Sequence, residues 1–385
     1  MFDINLLEIT PEEYAGRLAR TREAMKHEGL DLLIVWSDCY RMAGVRWLAN
    51  YRAFDGVIPY STLLVVPLSG EPTLFATATL EETAKASSPF QDVREIRSDL
   101  KPLLEEYAAS GNVKRIGING YRYLALETWN TIREALPETI KIGSTSILDR
   151  LKSIKSEAEI RNMKVAGWLA DVACEAVKNV ARTGMTEREL TRHAYSEMFL
   201  KGADGIAFDL FVQTGENSAN FYLQRPTDRR LHDGDIVMMD MGCRYNGYSS
   251  DNARAAGYGN ISKEAQRALD VSLEAFEAGM KVIKPGISGA DASRAASEVL
   301  ARHGYLKKGQ VLRCGHGTGM DPEEEYPSLM PNSNDILEEN QSLCFAVTLL
   351  VPGVGGVRQE DPVIVRKDGA ESLSNYPYRN NWPAA

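Results

Sequence analysis

Along the first 150 residues, segments whose apolar residues recur at helical spacing alternate with short, continuous apolar runs. A helical period starts after Thr10-Pro-Glu-Glu13, where Thr10 suits a helix cap and the proline suits the first turn, and it continues to about Glu28. Further helical periods begin near Leu80, Leu100 and Leu126, and short apolar runs predict buried strands at residues 31–36, 61–67, 73–76 and 115–120. This alternation predicts an α/β domain with a partly parallel sheet over residues 1–150.

Residues 151–385 show a different order of elements. A polar, basic stretch ends at Ser156-Glu-Ala-Glu159, a capping box that starts a long amphipathic helix, and Thr186 with Glu189 caps the next helix. Further helices are predicted at residues 262–283 and 290–303, and strands at 208–214, 310–314, 341–351 and 357–365. Two helices, a hairpin, two more helices and a run of strands predict an α+β domain.

The hairpin lies within residues 234–259. Asn246-Gly247 accepts the positive φ angles of a two-residue type I′ turn. With those two residues as the loop, Asp240 lies opposite Ala253 and Asp251 lies opposite Gly242, so both acids share one face as diagonal neighbours. Such neighbours have backbones about 7–8 Å apart, which allows two carboxylates to bind one cation or share a proton. The alternative is a pair of exposed hairpin acids.

Composition limits the partners of the protein. The chain has 385 residues and a formal net charge of −9, without a Lys/Arg block, which argues against nucleic acid or an anionic membrane as partner. A small molecule or short peptide is expected instead. No signal peptide or membrane-spanning run is indicated, which favours the cytoplasm. The first domain has no nucleotide-binding glycine motif, so a nucleotide ligand is not expected. The five scattered cysteines are expected to be reduced thiols that pack in the interior.

Three further features carry candidate chemistry. His316 lies between glycines in Gly315-His-Gly-Thr-Gly319, where it is either a ligand or a structural histidine. Glu360 belongs to an acidic pair at the start of an apolar strand, and residues 321–327 form an acidic loop that can also be read as a solvated turn. Together Asp240, Asp251, His316 and Glu360 form an oxygen-rich set with one imidazole, which suits Mn, Fe or Zn.

The ordered motifs resemble a known family. GDIVMMDMG, the second aspartate eleven residues after the first, GHGTG and PGVGGVRQED resemble the "pita-bread" family of aminopeptidase P, prolidase, methionine aminopeptidase and creatinase. The resemblance implies a creatinase-type N-terminal domain on residues 1–150, a pita-bread catalytic domain on 151–385, and a homodimer. The family includes peptidases, a metal-free creatine hydrolase, a lyase and binding proteins without activity.

The resemblance also implies roles for individual residues. Asp240 would bind one metal, Asp251 and Glu360 would bridge two metals, and His316 would be the imidazole ligand. The family's fifth ligand is a glutamate before Pro-Gly, and the matching position here is Ala346. Losing this carboxylate is expected to weaken the metal position that uses His316, so two ions, one ion or none are left open.

Other family positions differ as well. A histidine expected near residues 221–224 is absent, and Tyr222 or Gln224 occupies the region. A second histidine expected after the GHG motif is replaced within Glu323-Glu-Glu325, and the catalytic glutamate of creatinase falls on Ala253.

The leading hypothesis is a hydrolase that cleaves a C–N bond, in an amide, peptide or amidine, with metal-activated water. His316 would act at the catalytic centre, Glu323, Glu324 or Glu325 would move the proton, and Tyr222 or Arg254 would stabilise the developing anion. One alternative is a metal-independent, creatinase-like hydrolase or lyase that uses carboxylate and histidine acid-base chemistry. The other is a non-catalytic binding protein.

Substrate contacts are expected from both domains. Residues 40–52 resemble a family loop that reaches a partner subunit's cavity, and the alternative is surface arginines over a packed aromatic residue. The aromatic C-terminal segment, residues 375–383, is expected to dock on the body of the protein or on a neighbour. The predicted substrate-binding residues are Arg46, Trp47, Tyr51, Arg52, Gln224, Arg254 and Arg358.

Overall fold

The structure is a computed structural model that describes residues 8–52, 60–220, 223–379 and 381–384. Contacts divide the chain into two compact units, residues 8–152 and residues 153–385. Among the described residues, no helix is long and apolar enough to cross a membrane. All five cysteines are buried free thiols, as predicted.

The first unit is built on a six-stranded mixed sheet with the order β4-β3-β2-β1-β5-β6. Strand β1 runs antiparallel to β2 and parallel to β5, which confirms the predicted α/β domain with a partly parallel sheet. The helices are α1 (Pro11–Glu28), α2 (Ala43–Ala49), α3 (Glu81–Ser87), α4 (Ile96–Ala109), α5 (Leu126–Ala135) and α6 (Ile147–Ser153). The strands are β1 (Leu32–Ser37), β2 (Thr62–Pro67), β3 (Thr73–Ala76), β4 (Val93–Glu95), β5 (Arg115–Asn119) and β6 (Lys141–Ser144).

The segment at residues 40–52 differs from the expected loop, because most of it forms helix α2. Trp47 and Tyr51 are buried, at 1% and 2% exposure, and the guanidinium carbon of Arg17 lies 5.1 Å from the centre of the Trp47 ring. The prediction that Trp47 and Tyr51 contact substrate is therefore wrong, because both side chains pack inside the protein. The alternative of a packed aromatic residue is correct for Trp47.

The second unit contains helices that begin at the predicted caps. Ser156 and Thr186 each form a capping box with the glutamate three residues later, which satisfies free backbone N–H groups at the helix start. The helices are α7 (Glu157–Val180), α8 (Glu187–Leu200), α9 (Lys263–Val282) and α10 (Gly289–Arg302). The strands are β7 (Gly205–Ile206), β8 (Phe211–Thr214), β9 (Ile236–Met241), β10 (Cys243–Tyr245), β11 (Tyr248–Ser249), β12 (Asn252–Tyr258), β13 (Gly315–Gly317), β14 (Ser342–Val351), β15 (Gly355–Arg366), β16 (Gly369–Ser372) and β17 (Asn381–Trp382).

A large sheet with the order β13-β14-β15-β12-β9-β8 is the framework of this unit. Its hairpin has the predicted register: Ala253 lies opposite Asp240, and φ is +48° at Asn246 and +83° at Gly247. The strand predicted at residues 310–314 is wrong, because those residues are irregular and the strand that pairs with β14 covers Gly315–Gly317.

The two faces of β14 meet different surroundings. Leu343, Phe345 and Val347 belong to a buried cluster with residues of α9 and α10, and the Phe345 and Phe276 rings lie 5.6 Å apart. Side chains alternate between the faces of a strand, so Cys344 and the residues two and four positions further along point to the opposite face. The packing of the helices thus decides which face is left for a site.

Arg254 lies on the helix-covered side of the sheet and fastens the C-terminal segment. Its guanidinium pairs with Asp361 at 2.7 Å, donates to Ser374 Oγ at 2.8 Å and to the Tyr376 carbonyl at 3.1 Å, and lies 4.4 Å from the centre of the Tyr378 ring. The predicted substrate role of Arg254 is wrong, because only 1% of its side chain is exposed. The predicted docking of the C-terminal segment is confirmed.

We expect Arg254→Met to lower the free energy of unfolding by about 3–5 kcal/mol, because it leaves the buried Asp361 carboxylate without its cation. Arg188→Met is the matched control, since Arg188 and Asp228 form an exposed pair worth less than about 1 kcal/mol. Urea unfolding of both variants measures the difference. Equal losses would contradict a structural role for the buried pair.

Candidate active site

The first row of site residues crosses four neighbouring strands of the large sheet. Asp240 on β9 lies opposite Ala253 on β12, Ala253 lies opposite Glu360 on β15, and Glu360 lies opposite Ala346 on β14. Directly opposed residues of antiparallel strands point to the same face. Two carboxylates therefore share this row with two alanines, and the methyl group of Ala346 stands beside Glu360.

A second row holds the imidazole. His316 on β13 lies opposite Cys344 on β14, and its Nε2 lies 3.4 Å from Asp251 Oδ2 and 3.7 Å from Glu360 Oε1. Asp251 directly precedes β12. Potential ligand atoms of Asp251, His316, Cys344 and Glu360 all lie within 4.8 Å of one another. Residues far apart in sequence thus converge on one point.

Arg358 brings a positive charge into this group. It lies two residues before Glu360 on β15 and therefore on the same face. One guanidinium nitrogen, Nη2, lies 2.5 Å from Glu360 Oε2, and Nε lies 3.5 Å from Asp240 Oδ2. The predicted substrate-binding residue is thus already paired with two of the predicted metal ligands.

Burial dominates the electrostatics of these groups. It raises the pKa of Asp240 and of Glu360; Arg358 opposes the rise and the Asp251 charge reinforces it. Burial would lower the pKa of His316, but the hydrogen bond and charge of Asp251 and the charge of Glu360 outweigh it and raise that pKa to about 9. The group therefore binds protons or another cation more readily than the same side chains in water.

Two buried carboxylate oxygens of this group have no hydrogen-bond donor among the described residues, which indicates a missing positive charge. Asp240 Oδ1 and Glu360 Oε1 accept no hydrogen bond from the described residues, and both side chains are almost fully buried. A buried, unpaired carboxylate oxygen is costly, and three carboxylates outnumber the two cations, Arg358 and a protonated His316. A divalent cation would supply the missing charge, and carboxylates with an imidazole are suitable donors for it.

The site forms part of a cavity of about 780 Å³ in the second unit. Its apolar walls include Phe208, Phe211, Leu312 and Leu350. Asp240, Asp251, His316, Arg358 and Glu360 also line it. A cavity of this size with apolar walls and a few converging polar groups is typical of a small-molecule site.

The three consecutive glutamates of the acidic loop have different surroundings. Glu323 lines the cavity and pairs with Arg313. Glu324 is buried, and its carboxylate lies 3.6 Å from the Lys155 ammonium, whereas Glu325 is exposed and is not part of the cavity lining. The predictions of Glu324 and Glu325 as proton carriers are wrong, because neither side chain reaches the cavity.

The remaining predicted residues divide by position. Gln224 lines the cavity, while Tyr222 lies outside the described residues. Arg46 and Arg52 are half-buried in the first unit, and their substrate contacts stay predictions. The sequence predicts only a packing role for Cys344, whereas the structure also brings its sulfur to the carboxylates and the imidazole. Its spacing of two from Ala346 on a predicted strand is the signal that places it on the same face.

The chain is similar to peptidases over most of its length. The creatinase/prolidase N-terminal domain matches residues 17–154, and metallopeptidase family M24 matches residues 161–367. An uncharacterized peptidase of Staphylococcus epidermidis is 32% identical over 316 residues, which cover 81% of this chain and 87% of that protein.

Solved structures show the same architecture. Dipeptidase PepE from Mycobacterium ulcerans has a TM-score of 0.85 at 26% identity, covering 98% of this chain and 100% of that one. Xaa-Pro dipeptidase from Bacillus anthracis has a TM-score of 0.83 at 24% identity, covering 97% and 100%. These matches confirm the predicted creatinase-type N-terminal domain and pita-bread C-terminal domain.

We expect the chelator-treated protein to lose stability as the pH rises. The pKa values of Asp240, Glu360 and His316 are raised on folding, so the folded chain keeps protons that the unfolded chain releases. Their stabilising contribution is complete below the unfolded carboxyl pKa, near 3.8 for Asp240, and is lost as the pH rises through the folded pKa of His316, about 9.

Urea unfolding between about pH 5 and pH 9, with each group contributing a slope of up to about 1.4 kcal/mol per pH unit, measures this loss. Asp240→Asn should make the slope shallower, whereas Asp209→Asn, an exposed residue of the cavity wall, should keep it. An Asp240→Asn slope identical to that of the unsubstituted protein would contradict the expectation.

Proposed function

Because the chain belongs to metallopeptidase family M24, we propose that this peptidase cleaves a short peptide with water activated by one divalent ion. The supporting observation is the convergence of Asp251, His316 and Glu360 beside an open cavity of about 780 Å³. This set keeps two carboxylates and an imidazole, which are suitable donors for Mn, Fe or Zn.

One ion suits these residues better than two. Arg358 already neutralises part of the charge on Glu360 and Asp240, through contacts of 2.5 and 3.5 Å. Ala346 supplies no donor next to Glu360. A second divalent ion would meet the Arg358 charge on one side and lack a ligand on the other, so the electrostatic balance favours a single ion.

The bound ion would lower the pKa of a water molecule and polarise the peptide carbonyl. Asp251, His316 and Glu360 would hold it, and Arg358 keeps the Glu360 carboxylate in place. Glu323 lines the same cavity; burial opposes its ionisation, but His316 and Arg313 lower its pKa, so the carboxylate is ionised at neutral pH. It would take a proton from the attacking water and deliver it to the leaving amine.

The cavity suits a peptide of a few residues. Phe208, Phe211 and Leu350 provide apolar walls for side chains, and Arg313 and Glu323 provide charged groups in the cavity wall. The similar solved structures include a dipeptidase and an Xaa-Pro dipeptidase, so dipeptides with and without a second-position proline are the first substrates to test. The homodimer and the cytoplasmic location stay predictions.

We expect the purified protein to bind close to one divalent ion per chain and to lose peptide hydrolysis after chelation. Asp251→Asn removes a ligand that contacts His316, so it should lower the metal content and reduce kcat/KM more than about 100-fold. Elemental analysis and assays with a dipeptide panel measure both effects.

Asp209→Asn is the control, because it changes an acid of the cavity wall outside the converging group and should keep the metal content. Turnover by a metal-free protein, insensitive to chelator and abolished by His316→Ala, would replace this proposal with the acid-base alternative. A protein that binds peptide without cleaving it would be the binding protein instead.

We expect Glu323→Gln to reduce kcat by about 10²–10⁴-fold with a smaller change in KM, because it removes the proposed proton carrier. The acidic limb of the pH profile of kcat should disappear with it. Glu325→Gln, an exposed neighbour outside the cavity lining, is the matched control. A Glu323→Gln variant with the normal pH profile would contradict the role of Glu323.

A further inference from the structure

Cys344 differs in its surroundings from the three other buried cysteines of the second unit. Cys174 and Cys243 pack in an apolar core cluster, and Cys314 packs in another. Cys344 lies beside Asp251 and Glu360, and burial together with these two negative charges raises the pKa of its thiol. Its sulfur lies 3.7 Å from the backbone carbonyl of Asp251. A fully buried thiol among carboxylates is in an unusual place for a residue that only packs.

The side chains of Cys344 and Ala346 point in the same direction. They lie two positions apart on β14, so both point to the site face. Cys344 is opposite His316, and Ala346 is opposite Glu360. Strand β14 therefore carries a sulfur donor at Cys344, two residues before Ala346, where the family has a carboxylate.

A second observation points to a ligand at the same place. Glu360 Oε1 is buried and accepts no hydrogen bond from the described residues. Glu360 nevertheless belongs to a group of four residues whose potential ligand atoms lie within 4.8 Å of one another; the others are Asp251, His316 and Cys344. Two carboxylates, one imidazole and one thiol offer four protein donors, and a five-coordinate ion held by them would keep one position for the water.

We propose, on the basis of the proposed function, that Cys344 binds the catalytic ion as a thiolate and replaces the carboxylate that is absent at Ala346. The thiol proton goes to solvent when the ion binds, because only the thiolate is a strong ligand. A soft sulfur donor favours zinc over manganese, so the substitution also changes the metal preference of the site.

Cobalt(II) tests the sulfur bond directly, because thiolate coordination produces a charge-transfer absorption in the near ultraviolet. The unsubstituted protein loaded with cobalt should show this band, and Cys344→Ala should abolish it and weaken zinc binding at least about 10-fold. Cys314→Ala is the matched control, since the Cys314 sulfur faces Ser293 rather than the carboxylates, and it should keep the band. Zinc affinity is measured by competition with a chromophoric chelator.

A double variant separates ligand loss from damage to the fold. Cys344→Ala/Ala346→Glu should recover zinc binding without recovering the charge-transfer band, because a carboxylate then replaces the thiolate. If Cys344→Ala fails to fold, Cys344→Ser preserves the shape of the residue and should also lack the band. Circular dichroism of the metal-free proteins checks the fold.

The outcomes distinguish this inference from the proposed function. Stoichiometric cobalt without the band, or a band that survives in Cys344→Ala, overturns ligation by Cys344 and leaves the single-ion peptidase standing. Failure of the unsubstituted protein to bind cobalt or zinc overturns both. A band that depends on Cys344, together with metal recovery in the double variant, supports the inference.

Discussion

The site depends on the antiparallel register that links β9, β12, β15 and β14. Each pairing places one site position directly opposite the next, so Asp240, Ala253, Glu360 and Ala346 form a continuous row on one face. A shift of one residue in any pairing would turn that strand's site residue towards the helices. The hairpin turn and the packing of the opposite face therefore support the chemistry as much as the site residues do.

The same register creates an imbalance of charge. It gathers acidic side chains in a buried place where Arg358 compensates only part of their charge, and it leaves Asp240 Oδ1 and Glu360 Oε1 without a hydrogen bond from the described residues. Such an arrangement is stable only if protons or a cation complete it. The raised pKa values and the suitability for a metal ion are thus two consequences of one arrangement. The loss of a carboxylate at Ala346 makes the imbalance smaller without removing it.

The opposite side of the sheet is also polar in one place. Arg254 and Asp361 alternate with the site residues along β12 and β15, so they point away from the cavity and bind the C-terminal segment. Arg254 also donates to the backbone carbonyl of Glu360 at 2.9 Å. The anchoring of the C-terminal segment and the position of a site carboxylate consequently depend on one guanidinium group, which lies on the side of the sheet away from the cavity.

The sequence alone determined the features that arise between near neighbours in the chain. Helix caps at Ser156 and Thr186, the turn at Asn246-Gly247 and the shared face of Asp240 and Asp251 depend on residues a few positions apart, and motif order added His316, Glu360 and the gap at Ala346. Only the tertiary structure decided that Glu323 lines the cavity while Glu324 is buried against Lys155, that Arg254 faces the interior, and that Arg358 and Cys344 join the carboxylates. The physical reason is the separation of the interacting residues along the sequence. Turns and caps are set by local backbone preferences, whereas these positions depend on packing between segments that are distant in sequence.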